Sequence, residues 1–152
     1  VLKSPLLLGN RGVEETERWR ISVLSGFNLT LPKKSTGRLH SLKPVVKITV
    51  HVGDAGSAPY AFATGHGKSS GPNPMYVKET CEVVVTEPST AMIAFTVWDK
   101  QDGVGRQFIA GAAIPVSCLR QGYRTILLFD SNHSRTGPHA FASLFVHAEK
   151  ER

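Results

Sequence analysis

Apolar and polar positions alternate with a period of two along most of this chain. Trp19, Ile21 and Val23 alternate with Arg20, Ser22 and Leu24, and Val46, Ile48, Val50 and Val52 alternate with Lys47, Thr49 and His51. Successive side chains of a strand point to opposite faces, so the pattern predicts half-buried strands with one wet face each. Further strands are expected at 60–64, 79–85, 91–98, 108–114, 123–129 and 143–148, separated by clusters of Gly, Pro, Asn and Ser. Eight short strands with no stretch of sustained helical period predict an all-β, antiparallel sandwich or barrel rather than an alternating α/β sheet. The inner faces of a sandwich would come from Ile21 and Val23, Ile48 and Val50, Ile93, Phe95 and Val97, and Ile126 and Leu128. Gly65 to Pro74 is the longest breaker-rich stretch and reads as a loop, because strands of similar composition resume on both sides. Val1 to Glu17 lacks alternation, carries Glu14, Glu15 and Glu17, and reads as an extended leader.

Composition narrows the class. The 152 residues are 41% hydrophobic and 20% charged, which excludes a disordered chain, and no apolar run reaches the ~18 residues of a membrane helix. Cys81 and Cys118 are too few for a disulfide framework or a four-thiolate zinc site. With no basic, apolar and small-residue succession at the amino terminus, a reducing cytosolic setting is expected. Charge is distributed unevenly. Arg18 to Gly53 contains no Asp or Glu, yet Arg18, Arg20, Lys33, Lys34, Arg38, Lys43 and Lys47 lie there, within a net charge of +6. Such asymmetry points to an anionic partner, phospholipid headgroups or nucleic acid, against the plainer reading of a solvated face.

The candidate chemical motifs are sparse. Gly67-Lys68-Ser69 resembles the end of a phosphate-binding loop, but Phe62 stands where its first glycine belongs and no helix is expected to follow. His40, His51, His66, His133, His139 and His147 show no metal-ligand spacing, and no Ser has the context of an activated nucleophile. His51 and His147 fall on outward strand positions and read as exposed. Asn28-Leu29-Thr30 and Asn132-His133-Ser134 match the glycosylation sequon but read as turns. Asp99 and Asp102, placed in a loop between Trp98 and Phe108, are the acidic residues that could hold calcium. Two carboxylates on one loop fall short of the six to eight oxygens that Ca2+ prefers, and a polar hairpin turn is the alternative.

The order of residues resembles the C2 domain of the eukaryotic phosphoinositide-specific phospholipases C. Trp19 to Gly26 followed by Asn28-Leu29 resembles that family's first strand, and Asn73-Pro74 the pair preceding the fourth. Ala91 to Val97 is similar to the strand leading to the third calcium loop. Phe108-Ile109-Ala110-Gly111 with Ile114-Pro115, Leu119 to Arg124 with its Gly-Tyr-Arg, and Leu144 to His147 resemble later family elements. The likeness covers Arg18 to about Glu149, and Val1 to Pro5 is similar to the segment that ends the family's catalytic barrel. The resemblance therefore implies a C2 domain over 18–150, an eight-stranded antiparallel sandwich, preceded over 1–17 by the tail of an upstream barrel and a linker.

The resemblance also implies function. The parent enzymes hydrolyse phosphatidylinositol 4,5-bisphosphate to inositol trisphosphate and diacylglycerol, with catalytic residues and catalytic Ca2+ in the barrel and none in this segment. What remains here is docking against that barrel and peripheral attachment, on the cytoplasmic side, to an anionic phospholipid surface. A scaffold or interaction domain of a catalytically inactive relative would give the same sequence. The calcium loops depart from the family's pattern. Lys43 occupies the position of an Asp before Pro44, Gln101 that of the second Asp after Asp99, and Gln107 that of an Asp before the Phe-Ile element, with Asp102 one place off register. No cofactor is therefore expected in this segment, and Asp99 and Asp102 are left as its metal-capable carboxylates. Lys33, Lys34, Arg38 and Lys43 are expected to contact membrane. A nucleic-acid partner is disfavoured, because the basic stretch lacks interleaved aromatics for base stacking.

Overall fold

A computed structural model describes residues 16–30, 42–52, 60–65, 71–77, 79–101, 105–135 and 140–151. Eight strands run through them: β1 (Glu17–Phe27), β2 (Pro44–His51), β3 (Tyr60–Ala63), β4 (Thr80–Val85), β5 (Met92–Gln101), β6 (Gly105–Pro115), β7 (Gly122–Leu127) and β8 (Ser143–Glu151). They form two four-stranded antiparallel sheets, in the orders β4-β1-β8-β7 and β3-β2-β5-β6. The predicted sandwich is thus present, with all eight strands near their expected places and β1 taking in Glu17.

Alternation fixes which faces meet. Trp19, Ile21 and Val23 from β1 and Leu144, Val146 and Ala148 from β8 face Ile48, Val50, Ile93, Phe95 and Val97 across one dry core. The segment from Val116 to Gln121 carries the chain from β6 to β7 and so from one sheet to the other. After β7 the chain turns back: Phe129 exchanges two backbone hydrogen bonds with Gly111 on the free edge of β6, at 2.9 Å each. That edge is blunted where it would otherwise offer unpaired groups. The predicted seventh strand therefore divides, with its last part serving the second sheet. Arg135 holds the return, donating to the carbonyls of Leu128, Ala140 and Ala142 at 2.8–2.9 Å.

Connections also feed the core. Leu29, Leu42 and Tyr76 are buried although none lies in a strand. Tyr76 donates its hydroxyl to the Pro44 carbonyl at 2.7 Å. Burial, and secondarily nearby Glu79, push its ionisation well above the ordinary phenol range. The neutral form is the one the fold favours, so this contribution is complete below the unfolded pKa of about 10 and fades only above it. Tyr76→Phe, which leaves a buried carbonyl without its donor, is expected to cost about 1.5 kcal/mol in urea unfolding at neutral pH. Burial likewise pushes the Cys81 thiol up to about 11, so Cys81 stays a protonated core residue.

Asn28 adopts φ 53°, a left-handed conformation that Asn tolerates, and its N–H donates to the Asn73 side chain at 3.0 Å. Asp130 Oδ1 accepts from the N–H groups of Asn132 and Ser134, both at 2.9 Å. The second sequon segment is thus a turn, and the first a bend at the end of β1. His51 is exposed as expected, but His147 is half-buried, with its ring edge-on to Tyr123 at 4.7 Å. Gly67-Lys68-Ser69 and the leader up to residue 15 lie outside the described residues.

Candidate calcium and membrane site

Antiparallel register brings the family's calcium positions together at one end of the second sheet. Pro44 pairs with Asp99 on β5, and Asp99 pairs with Gln107 on β6, so Lys43, Asp99 and Gln107 lie on three adjacent chain segments. Of the positions singled out in the sequence, Lys43, Asp99, Gln101 and Gln107 thus converge here. Asp99 itself lies elsewhere than expected. It is a residue of β5 with inward parity, only 5% exposed, rather than a loop residue. Its Oδ1 accepts the Lys43 N–H at 2.9 Å, and the Lys100 N–H donates to the Lys43 carbonyl at 3.1 Å. The carboxylate thereby continues the β2–β5 contact one residue before β2 begins, by accepting the N–H of Lys43. Gln101 ends β5, paired with Gly105, whose φ of 79° is a left-handed value suited to glycine at the hairpin. Asp102, Lys33, Lys34 and Arg38 lie outside the described residues. Among the described residues, no three His, Cys, Asp or Glu side chains come together as a metal site would need.

The same register reveals cations that reading the sequence missed. Lys100 and Arg106 are directly opposite one another across the β5–β6 hairpin, and both are exposed. Like charges opposed in this way repel and destabilise the pair. With Lys43 on the neighbouring strand start, the sheet end carries three cations on adjacent segments, while the Asp99 carboxylate is turned inward. Pairing across a hairpin was the signal, but its register depends on a bulge between Val97 and Trp98. Just below the tip, Trp98 and Phe108 pack edge to face, with ring centres 5.2 Å apart on the outer face of the sheet. Cations above an indole suit an interface between water and an apolar phase. Not all of the basic stretch belongs to this surface. Arg20 projects from the other sheet and is neutralised there by Glu82 at 3.2 Å and Glu151 at 3.1 Å.

Comparison with known proteins agrees with this geometry. Residues 17–130 match the C2 domain family. The chain is 36% identical over 128 residues to human inactive phospholipase C-like protein 2, covering 84% of this chain and 11% of that protein. It is 35% identical over 132 residues to rat 1-phosphatidylinositol 4,5-bisphosphate phosphodiesterase delta-1, covering 86% of this chain and 16% of that one. Among solved structures, a C2 domain of plant extended synaptotagmin 1 superposes with a TM-score of 0.68 at 16% identity, over 89% of this chain and 94% of that one. PLC21 of S. officinalis superposes with a TM-score of 0.66 at 21% identity, over 90% of this chain and 16% of that one. The structural likenesses bear on the fold, and the sequence likenesses on descent.

Proposed function

The chain belongs to the C2 domain family, and on that premise we propose that it is the membrane-docking module of a phosphoinositide phospholipase C or a phospholipase C-like protein, acting without calcium in its loops. The observation that carries this reading is the end of the second sheet, where register gathers Lys43, Lys100 and Arg106 on neighbouring chain segments while the carboxylate of Asp99 is turned inward and buried. In the calcium-bridged mode, several carboxylates hold a cation that in turn meets lipid phosphate. Here fixed side-chain cations take the place of the ion. A Ca2+ brought within ~4 Å of Lys43 would meet a repulsion of about 4 kcal/mol per unit charge at an effective dielectric of ~20. One Asp99 oxygen already serves a backbone N–H. The whole protein is read as hydrolysing phosphatidylinositol 4,5-bisphosphate in an upstream barrel that holds its own Ca2+. The module is read as working on the cytoplasmic side and contributing position and surface affinity.

Two measurements test the module directly. Isothermal titration is expected to show no calcium site tighter than about 100 μM, and co-sedimentation with phosphatidylserine vesicles is expected to be the same in calcium and in chelator. A tighter site that disappears in Asp99→Asn would overturn the calcium-free reading. A second role, as an interaction domain of a non-catalytic protein, is favoured by the 36% identity to an inactive phospholipase C-like protein. In that case the vesicle result stands and the full-length protein releases no inositol trisphosphate.

A further inference from the structure

Strand alternation holds the inter-sheet space apolar until its far end, where it fails on three strands at once. On β1 the inward series Val23, Ile21, Trp19 ends in Glu17. On β8 the series Leu144, Val146, Ala148 ends in Lys150, and on β7 Arg124 precedes Ile126 on the inward side. These residues and the crossing segment of Ser117, Arg120 and Gln121 line a notch of about 300 Å3 at the mouth of the sandwich. Charged groups at core-parity positions break the local pattern, and such breaks in natural proteins concentrate at functional sites.

Part of the arrangement is structural. Arg124 donates from Nη2 to the Gln121 carbonyl at 2.6 Å and from Nε to the Arg120 carbonyl at 3.3 Å, which closes the turn into β7. Lys150 lies over the Trp19 ring at 5.9 Å and 3.9 Å from Glu17, whose other oxygen accepts the Trp19 N–H at 3.0 Å. These contacts leave charge over. The notch is lined by three cations, Arg120, Arg124 and Lys150, and one carboxylate, Glu17. That leaves a formal excess of two positive charges in a concavity also lined by Ser117 and by Gln121, whose side-chain oxygen accepts the Lys150 N–H at 3.1 Å. Its volume is at the lower bound for small-ligand pockets.

We propose that this notch binds a phosphomonoester. A dianion matches the excess charge, and the planar Arg120 fork with the Lys150 ammonium supplies charge-assisted donors to its oxygens. The location indicates the source. The notch lies at the end of β6 opposite the Lys43–Lys100–Arg106 tip, and the 11 residues of that strand span about 34 Å. A chain docked by its tip presents the notch to solvent, so the phosphate belongs to a soluble ligand; this assignment of source, unlike the charge chemistry, rests on the docking reading above.

The test is a two-dimensional NMR titration of the full chain with glycerol 3-phosphate. Saturable shifts are expected at the amides of Ser117, Arg120, Gln121 and Lys150. Arg120→Gln is expected to weaken binding about tenfold, the loss of one charge-assisted contact, while Arg120→Lys, which keeps the charge but not the fork, recovers only part of it. Glu17→Gln removes the opposing carboxylate but keeps an acceptor for Trp19, and should tighten binding severalfold. Lys100→Gln and Arg106→Gln should leave it unchanged. Thermal melts of each variant separate lost binding from lost fold. Shifts that rise linearly without saturation, or saturable shifts indifferent to Arg120, overturn the site. Arg120-dependent binding to phosphatidate vesicles in place of glycerol 3-phosphate overturns the soluble source.

Discussion

Phe95→Ala is expected to lower stability by about 4 kcal/mol, the largest single-residue loss among the described residues. Phe95 is the largest of the fully buried side chains, at 0% exposure on a central strand, with Ile48 on one side and Ala112 on the other. Its removal forfeits the transfer energy of an aromatic ring and leaves a cavity between two sheets whose hydrogen-bonded ladders prevent collapse. Against the 5–15 kcal/mol that holds a typical domain, about 4 kcal/mol lowers the urea midpoint by about 2 M at a slope of about 2 kcal/mol/M. Phe145 provides the control. It has the same chemistry, but it faces outward at 40% exposure and stacks on Tyr123 at 5.7 Å, so Phe145→Ala should cost about 1 kcal/mol. Comparable losses for the two substitutions would mean that the core does not lie between the sheets as described.

That contrast follows from a pattern already legible in the sequence. Ile21, Val23, Ile48, Val50, Ile93, Phe95 and Val97 announce their faces through alternation, because a strand half in water must separate its side chains by parity. What stayed hidden depends on contacts between distant segments. Leu29 and Leu42 are buried because the segment around Gly71 and Pro72 bonds to both of them, through Leu29 N–H to Pro72 and Gly71 N–H to Leu42, and no local period encodes that approach. Asp99 looks like a loop acid in sequence because carboxylates are rarely buried, yet the Lys43 N–H next to the start of β2 needs an acceptor, and Asp99 supplies it. The Lys100–Arg106 pair and the notch lined by Glu17, Arg124 and Lys150 required strand register, which a sequence encodes through bulges and long-range pairing rather than composition. Lys43, Gln101 and Gln107 could be read as departures from a calcium site because the resemblance supplied the expected carboxylates to compare.

Replacing Lys33, Lys34, Arg38 and Lys43 together by Gln is expected to weaken binding to phosphatidylserine vesicles by about a thousandfold at low salt. Each basic residue near an anionic surface contributes about 1 kcal/mol, so four supply about 4 kcal/mol, which alone corresponds to millimolar affinity. Lys100 and Arg106 at the same end of the sheet as Lys43 add about 2 kcal/mol more, bringing the intact chain to tens of micromolar. Affinity of that order recruits a protein with other membrane contacts but does not anchor it unaided. The contributions are electrostatic, so they are expected to decline together as salt rises and the Debye length falls from about 10 Å at 0.1 M to about 3 Å at 1 M. Co-sedimentation across that salt range, with the fourfold variant and a Lys100→Gln, Arg106→Gln double variant beside the parent, distinguishes the contributions. A fourfold variant that sediments like the parent at low salt would remove the first basic stretch from the contact surface. If the double variant also matched the parent, the cationic end of the second sheet would have no part in docking.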